Sequence, residues 1–197
     1  MFARALLSSV AIAVLVSAGS AVQAAAAVNG VAGAASSVQA EPIVAYSPAL
    51  SRDRVAFAMG GEVWLTDRTG GSAVRLTTGA GVTPTGGVAF SPDGTQIAYP
   101  AAYGGDADVY VMPVEGGAAR RLTFAGQAEE VVGWSADGRT IRFRSTRDTF
   151  YPMYGLPRVF AVPVEGGPSA ALDYPVAYNV AYSEDGLRVA VEPQQLI

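Results

Sequence analysis

One phrase of strands and turns recurs along this chain, and its period restricts what the chain can fold into. The clearest copy reads Phe90-Ser91-Pro92-Asp93-Gly94, Gln96-Ile97-Ala98-Tyr99, Val109-Tyr110-Val111-Met112-Pro113-Val114-Glu115-Gly116-Gly117 and Arg121-Leu122-Thr123. The next reads Trp134-Ser135-Ala136-Asp137-Gly138, Ile141-Arg142-Phe143, Val159-Phe160-Ala161-Val162-Pro163-Val164-Glu165-Gly166-Gly167 and Leu172-Asp173. A worn copy precedes them, from Tyr46-Ser47-Pro48 to Arg75-Leu76-Thr77, and another opens at Tyr182-Ser183-Glu184-Asp185-Gly186. Counted from serine to serine (47 to 91, 91 to 135, 135 to 183), the spacing is 44, 44 and 48 residues. A repeat of roughly 40–50 residues built from strand and turn signals alone marks propeller blades. The expected fold class is therefore all-β, a β-propeller of roughly 44–48-residue four-stranded blades. The blades fall at 42–78, 86–124 and 130–173, with a partial blade at 178–193.

Each unit alternates short β-branched and aromatic runs with glycine turns, as four strands of one blade require. In Asp93-Gly94, Asp137-Gly138 and Asp185-Gly186 the Asp can bond nearby backbone while Gly takes the positive φ of a tight hairpin. Gly116-Gly117 and Gly166-Gly167 mark a second hairpin, between the strand ending in Val-Glu and the next. The run Val109–Val114 is almost wholly apolar, so burial on both faces is expected. A single blade cannot provide that, and stability must come from stacking blade on blade. Trp64 and Trp134 are read as core.

The first 24 residues read as a secretory signal. Arg4 supplies a positive start, Ala5–Val16 is an apolar core of about a dozen residues, and Val22-Gln23-Ala24 is a small-residue cleavage site. The apolar run is short of the roughly 20 residues needed to span a bilayer. Residues 25–40, of Ala, Gly, Val and Ser, read as a flexible lead-in to a partial propeller at 41–197. The expected location is outside the cytoplasm, in a periplasm, with no membrane attachment after cleavage. Beyond residue 24 the chain carries 12 Arg against 17 acids, a net of −5 (12 − 17). An acidic surface without a basic patch argues against nucleic acid.

Three absences narrow the chemistry. The 197 residues contain no Cys, no His and no Lys, all 13 basic residues being Arg. A serine nucleophile normally needs an adjacent His or Lys base, so no conventional Ser–His or Ser–Lys reaction is available to these residues. Thiolate- and imidazole-ligated metals are excluded too, and no cofactor is expected. Asp106 with Asp108, and Glu129 with Glu130, are the paired carboxylates left for acid–base work. They are better read as a solubilised loop and a solvated blade edge. The segment from Arg142 to Tyr154 is the least blade-like. There Arg144 and Arg147, with Tyr151 close behind, are the candidate anchors for a carboxylate or a peptide end, through bidentate hydrogen bonds and apolar contact. The alternative is that Arg147 pairs locally with Asp148.

Phrases of the type Ser-Pro-Asp-Gly, Val-Tyr-Val-Met-Pro-Val-Glu-Gly-Gly and Arg-Arg-Leu-Thr resemble the TolB-type, WD40-like propeller repeat. The blade order narrows this. Val55-Ala56-Phe57, Gly61-Glu62-Val63-Trp64 and Arg75-Leu76-Thr77 resemble the opening blade of bacterial tricorn proteases. Val131-Val132-Gly133-Trp134-Ser135-Ala136-Asp137-Gly138 with Phe143-Arg144-Ser145-Thr146-Arg147 resembles that family's third blade. The resemblance implies a serine peptidase in which N-terminal propellers filter peptides for catalytic domains further along the chain. No catalytic motif of that family has a counterpart here. About three and a half blades do not close a ring, which typically takes about four to eight. The chain is therefore expected to be the front of a longer polypeptide, whose downstream catalytic domains would be its partners. Assembly of several copies into a homo-oligomer is the other way to close a ring. The expected role is peptide binding and gating rather than bond cleavage; the rival is a TolB-like envelope scaffold that binds a protein partner.

Overall fold

The computed structural model describes residues 44–147, 157–173, 177–183 and 185–193. The segments read as signal (1–24) and lead-in (25–40), and Tyr151, lie outside the described residues. The first sheet comprises β1 (Tyr46–Leu50), β2 (Arg54–Met59), β3 (Glu62–Asp67) and β4 (Val74–Arg75). The second comprises β5 (Ala89–Phe90), β6 (Gln96–Ala101), β7 (Asp108–Pro113) and β8 (Arg120–Arg121). The third comprises β9 (Glu129–Trp134), β10 (Thr140–Ser145), β11 (Arg158–Pro163) and β12 (Ala170–Ala171). A pair, β13 (Ala177–Tyr182) with β14 (Val189–Pro193), follows. Each sheet runs in sequence order and is antiparallel throughout. This is the blade architecture expected from the repeat. β1 lies against β5 and β5 against β9, so the first strands of neighbouring blades converge, as inner strands of a propeller do.

Alternation along each strand decides which seam a side chain enters. In β6, Ile97, Tyr99 and Ala101 pack with Ala56, Val63 and Val82 between the first two blades. Their neighbour Ala98, with Val109 and Val111 of β7, packs instead with Ile141, Phe143 and Phe160 between the second and third. The run Val109–Val114 is thus buried on both faces, apart from half-buried Tyr110 and exposed Pro113. Phe143 and Phe160, opposite one another in β10 and β11, stack with ring centroids 5.6 Å apart. The two tryptophans are half-buried rather than fully in the core, Trp134 packing on the cluster between the second and third blades and Trp64 standing mid-strand in β3. Burying an indole leaves an N–H to satisfy, and each finds a backbone carbonyl. Trp64 donates to Met59 O (3.0 Å), and Trp134 donates across the seam to Ala89 O (3.1 Å).

The Ser-x-Asp-Gly phrase is one hydrogen-bonded device used three times. The serine hydroxyl donates to the Asp carboxylate (Ser91 to Asp93, Ser135 to Asp137, Ser183 to Asp185) and accepts an amide five residues on, at 2.9 Å each time. The same Asp accepts the amide two residues on, and Gly94, Gly138 and Gly186 take φ of 72°, 69° and 69°. These bonds hold the Asp carboxyls below their ordinary value of 3.8, the serine hydroxyl contributing most. The device also corrects the repeat count. In the first blade the serine that bonds the turn Asp is Ser51, with Asp53 and the Arg54 amide, not Ser47. The first spacing is then 40 residues (91 − 51), and the turn itself is two residues shorter than in the later blades. Ser47 instead sits at a bulge in β1 with φ of 51°, its hydroxyl donating to Pro84 O.

Candidate functional site

Antiparallel strands in sequence order put the Ser-Asp and Glu-Gly-Gly turns at one end of the blades. The β2–β3 type connections and the links between blades share the other end, called here the link end. The acid pairs and the candidate anchor arginines lie toward the link end, and the turn aspartates at the other.

The closing Arg-Leu-Thr phrase is a clip. Thr77 and Thr123 accept the amides of Val63 and Val109, the second residues of β3 and β7, at 2.9 and 2.8 Å. The acid just before each amide, Glu62 or Asp108, takes the threonine hydroxyl and the amides beyond it. The third blade breaks the pattern, with Arg158 and Asp173 at these places. Asp108, read from sequence as a solubilising loop residue, is 4% exposed and paired with Arg121. Asp106 stays on the exposed loop. The sequence signal for the difference was present: Asp108 opens an apolar run, where alternation turns its side chain into the seam.

Glu129 and Glu130 likewise part company. Both belong to β9, so they face opposite sides of the third blade. Glu130 pairs with its register partner Arg144. On that same face Arg142 lies 3.7 Å from the centroid of the Tyr182 ring, towards the β13–β14 pair. Glu129, 1% exposed, faces the second blade, where Arg147 Nη1 lies 3.3 Å from its Oε1. It is not the solvated edge that its Glu-Glu context suggests, because one step along a strand reverses the face. Arg147 is held further by Ser169 and lies over the Phe143 and Phe160 rings at 4.9 and 4.2 Å. The two candidate anchor arginines are therefore on opposite faces of one blade, each engaged by its own carboxylate. An incoming peptide carboxylate at either would have to displace an internal partner.

Burial pushes the Glu129 carboxyl up to about 7 from 4.5, with Asp108 adding to the effect and the Thr123 hydroxyl and Arg147 opposing it. Below about pH 4.5 Glu129 is protonated whether the chain is folded or not. Between there and about 7 the unfolded chain releases the proton and the folded chain keeps it, so stability falls as pH rises. The full loss is about 3 kcal/mol. The turn aspartates act on the other limb: their contribution is present above about 3.8 and is lost as pH falls through their lowered folded values. Glu129→Gln should therefore gain on wild type between pH 5 and pH 8 in urea unfolding. Parallel stability curves for the two proteins would overturn this.

Beside Asp108 the link end opens into a groove of about 390 Å³, lined by Tyr103, Gly104, Asp106, Asp108, Tyr110 and Arg121. Tyr103 is 44% exposed, and Phe124, under the Arg121 guanidinium at 4.5 Å, is 71% exposed. Among the described residues no three acids gather where they could hold a metal ion.

The family described as the tricorn protease N-terminal beta propeller domain matches residues 44–196. The chain belongs to that family. It is similar to tricorn protease homolog 1 of Streptomyces coelicolor, 38% identical over 130 residues, which is 64% of this chain and 12% of that protein. Putative tricorn protease homolog 2 of the same organism is 35% identical over 147 residues, 72% of this chain and 12% of that one. This tricorn-type propeller thus spans about an eighth of the length of these curated relatives. Among solved structures it resembles TolB from Acinetobacter baumannii, with TM-score 0.63 and 21% identity over 77% of this chain and 39% of that one. The tricorn protease itself gives TM-score 0.60 and 22% identity over 74% and 15%. At such identities these two likenesses speak for the fold alone.

Proposed function

We propose that this propeller is an exported, non-catalytic, substrate-handling segment of a tricorn-type serine peptidase, admitting peptides to catalytic domains on the same polypeptide. The observation that carries the reading is the family match over residues 44–196, the propeller of a protease family. Two features support it. No His, Lys or Cys exists among the 197 residues to activate a nucleophile. The link end exposes Tyr103 and Phe124, aromatic side chains of the kind that bind extended chains at low entropic cost.

The test uses the polypeptide that joins this propeller to a peptidase domain. Tyr103→Ser with Phe124→Ser should raise KM for peptides of about ten residues several-fold, leaving kcat on a short chromogenic amide unchanged. An equal effect on long and short substrates, or none on either, would end the gating reading. Absence of any peptidase activity from that polypeptide would favour a scaffold that binds a protein partner.

A further inference from the structure

The groove at the link end of the second blade has the chemistry of a cation site. Its two rings are fixed at a right angle: Tyr103 and Tyr110 lie 5.1 Å apart with an interplanar angle of 75°. Buried Tyr99 supports both, stacking against Tyr110 at 6.1 Å and placing its hydroxyl 3.4 Å from that of Tyr103. The charges around the rings do not balance. Arg121 is spent on Asp108, on Thr123 O at 2.9 Å and on the Phe124 ring. Asp108 is satisfied in turn by Arg121, the Thr123 hydroxyl and the Ala125 amide. Asp106 is left: exposed on the loop, lining the groove, and without an ion pair or hydrogen bond among the described residues. Gly104 and Gly105 beside it meet nothing within 4 Å of an added Cβ, so the mouth is open.

We infer that this groove binds a cationic group of a peptide, a guanidinium or an ammonium, between the Asp106 carboxylate and the Tyr103–Tyr110 corner. Aromatic faces attract cations, and an uncompensated carboxylate adds a charge-assisted hydrogen bond. An anion would meet Asp106, while the arginine of the lining, Arg121, is already paired with Asp108; a neutral side chain would leave the Asp106 charge uncompensated. A volume of about 390 Å³ suits one side chain or one chain terminus, not a folded partner. The inference rests on the peptide-handling reading and adds the kind of residue admitted.

Calorimetry on the full 197-residue chain would use three probes. N-acetyl-alanyl-arginyl-alaninamide carries only a guanidinium, alanyl-alanyl-alaninamide only a terminal ammonium, and the citrulline analogue of the first is neutral. One or both cationic probes should bind about tenfold more tightly than the citrulline peptide, and Asp106→Asn should remove that advantage. Which cationic probe binds tells a basic side chain from an amino terminus. Tyr103→Ala should weaken binding, whereas Tyr103→Phe should keep it, since the ring and not the hydroxyl holds the cation. Equal affinity for arginine and citrulline peptides, no effect of Asp106→Asn, or no binding of either cation at millimolar concentration would overturn the site. A tenfold preference with unchanged peptide-length dependence in the full peptidase would leave the cation site standing and remove the gating role. The reverse pairing of results would do the opposite.

Discussion

Phe143→Ala should cost about 3–5 kcal/mol, among the largest effects of any side-chain truncation in this chain. Phe143 is fully buried, stacks on Phe160 from the next strand, and packs with Ala98, Val109 and Val111 of the neighbouring blade. It also carries the Arg147 guanidinium at 4.9 Å. Removing the ring therefore opens a cavity in the seam and takes away part of the surface that holds Arg147 opposite Glu129. The seam is closed on both sides by strands in fixed register, so it has little room to collapse. Phe143→Leu, which keeps most of the volume, should cost about 1.5 kcal/mol or less. Urea unfolding followed by the fluorescence of Trp134, whose indole bridges the same two blades, reads both. A loss below about 1 kcal/mol for the alanine variant would mean that the blades are not held together through this ring pair.

The second large effect needs only one methyl group. A Cβ on Gly87 would lie 2.0 Å from the carbonyl oxygen of Val131, in the inner strand of the third blade. Backbone meets backbone there, so no side-chain rotation can relieve the contact, and Gly87→Ala should cost about 3 kcal/mol. Gly104→Ala provides the comparison. Its added Cβ meets nothing within 4 Å, and its φ lies outside the left-handed region. That variant should be neutral or gain about 0.4–1 kcal/mol, by restricting the unfolded chain. A large loss at Gly87 and none at Gly104 is the expected result, read as midpoints of thermal or urea unfolding. Similar effects at both positions would show that the close approach of the inner strands is not a real constraint on the fold.

Much of the architecture was legible in the residues because the propeller repeats itself. A turn needing Asp and Gly and a strand needing apolar residues on both faces reappear at near-constant spacing. Where a copy is worn the linear reading slips: Ser47 stands in for the phrase's serine, a place that Ser51 fills. Only the hydrogen bonds of the turn tell the two serines apart. The charged residues were harder. Asp106 and Asp108, Glu129 and Glu130, and Arg144 and Arg147 look like sets in a linear reading. Strand alternation separates Glu129 from Glu130, which face the two neighbours of their blade, whereas Asp106 and Asp108 part because one lies on the exposed loop and the other opens β7.

The sequence by itself determined the blade, because turn chemistry and strand periodicity act over a few residues and leave their mark at fixed intervals. It also determined that no His, Lys or Cys is available for catalysis within these residues. The tertiary structure alone decided which charges are spent and which are available. Burial of Glu129, the Arg121–Asp108 pair and the right-angled tyrosine corner all depend on contacts between residues brought together by pairing and stacking, and such contacts have no period to read. A side chain one step along a strand enters a different seam, meets a different dielectric and a different partner, and acquires different chemistry.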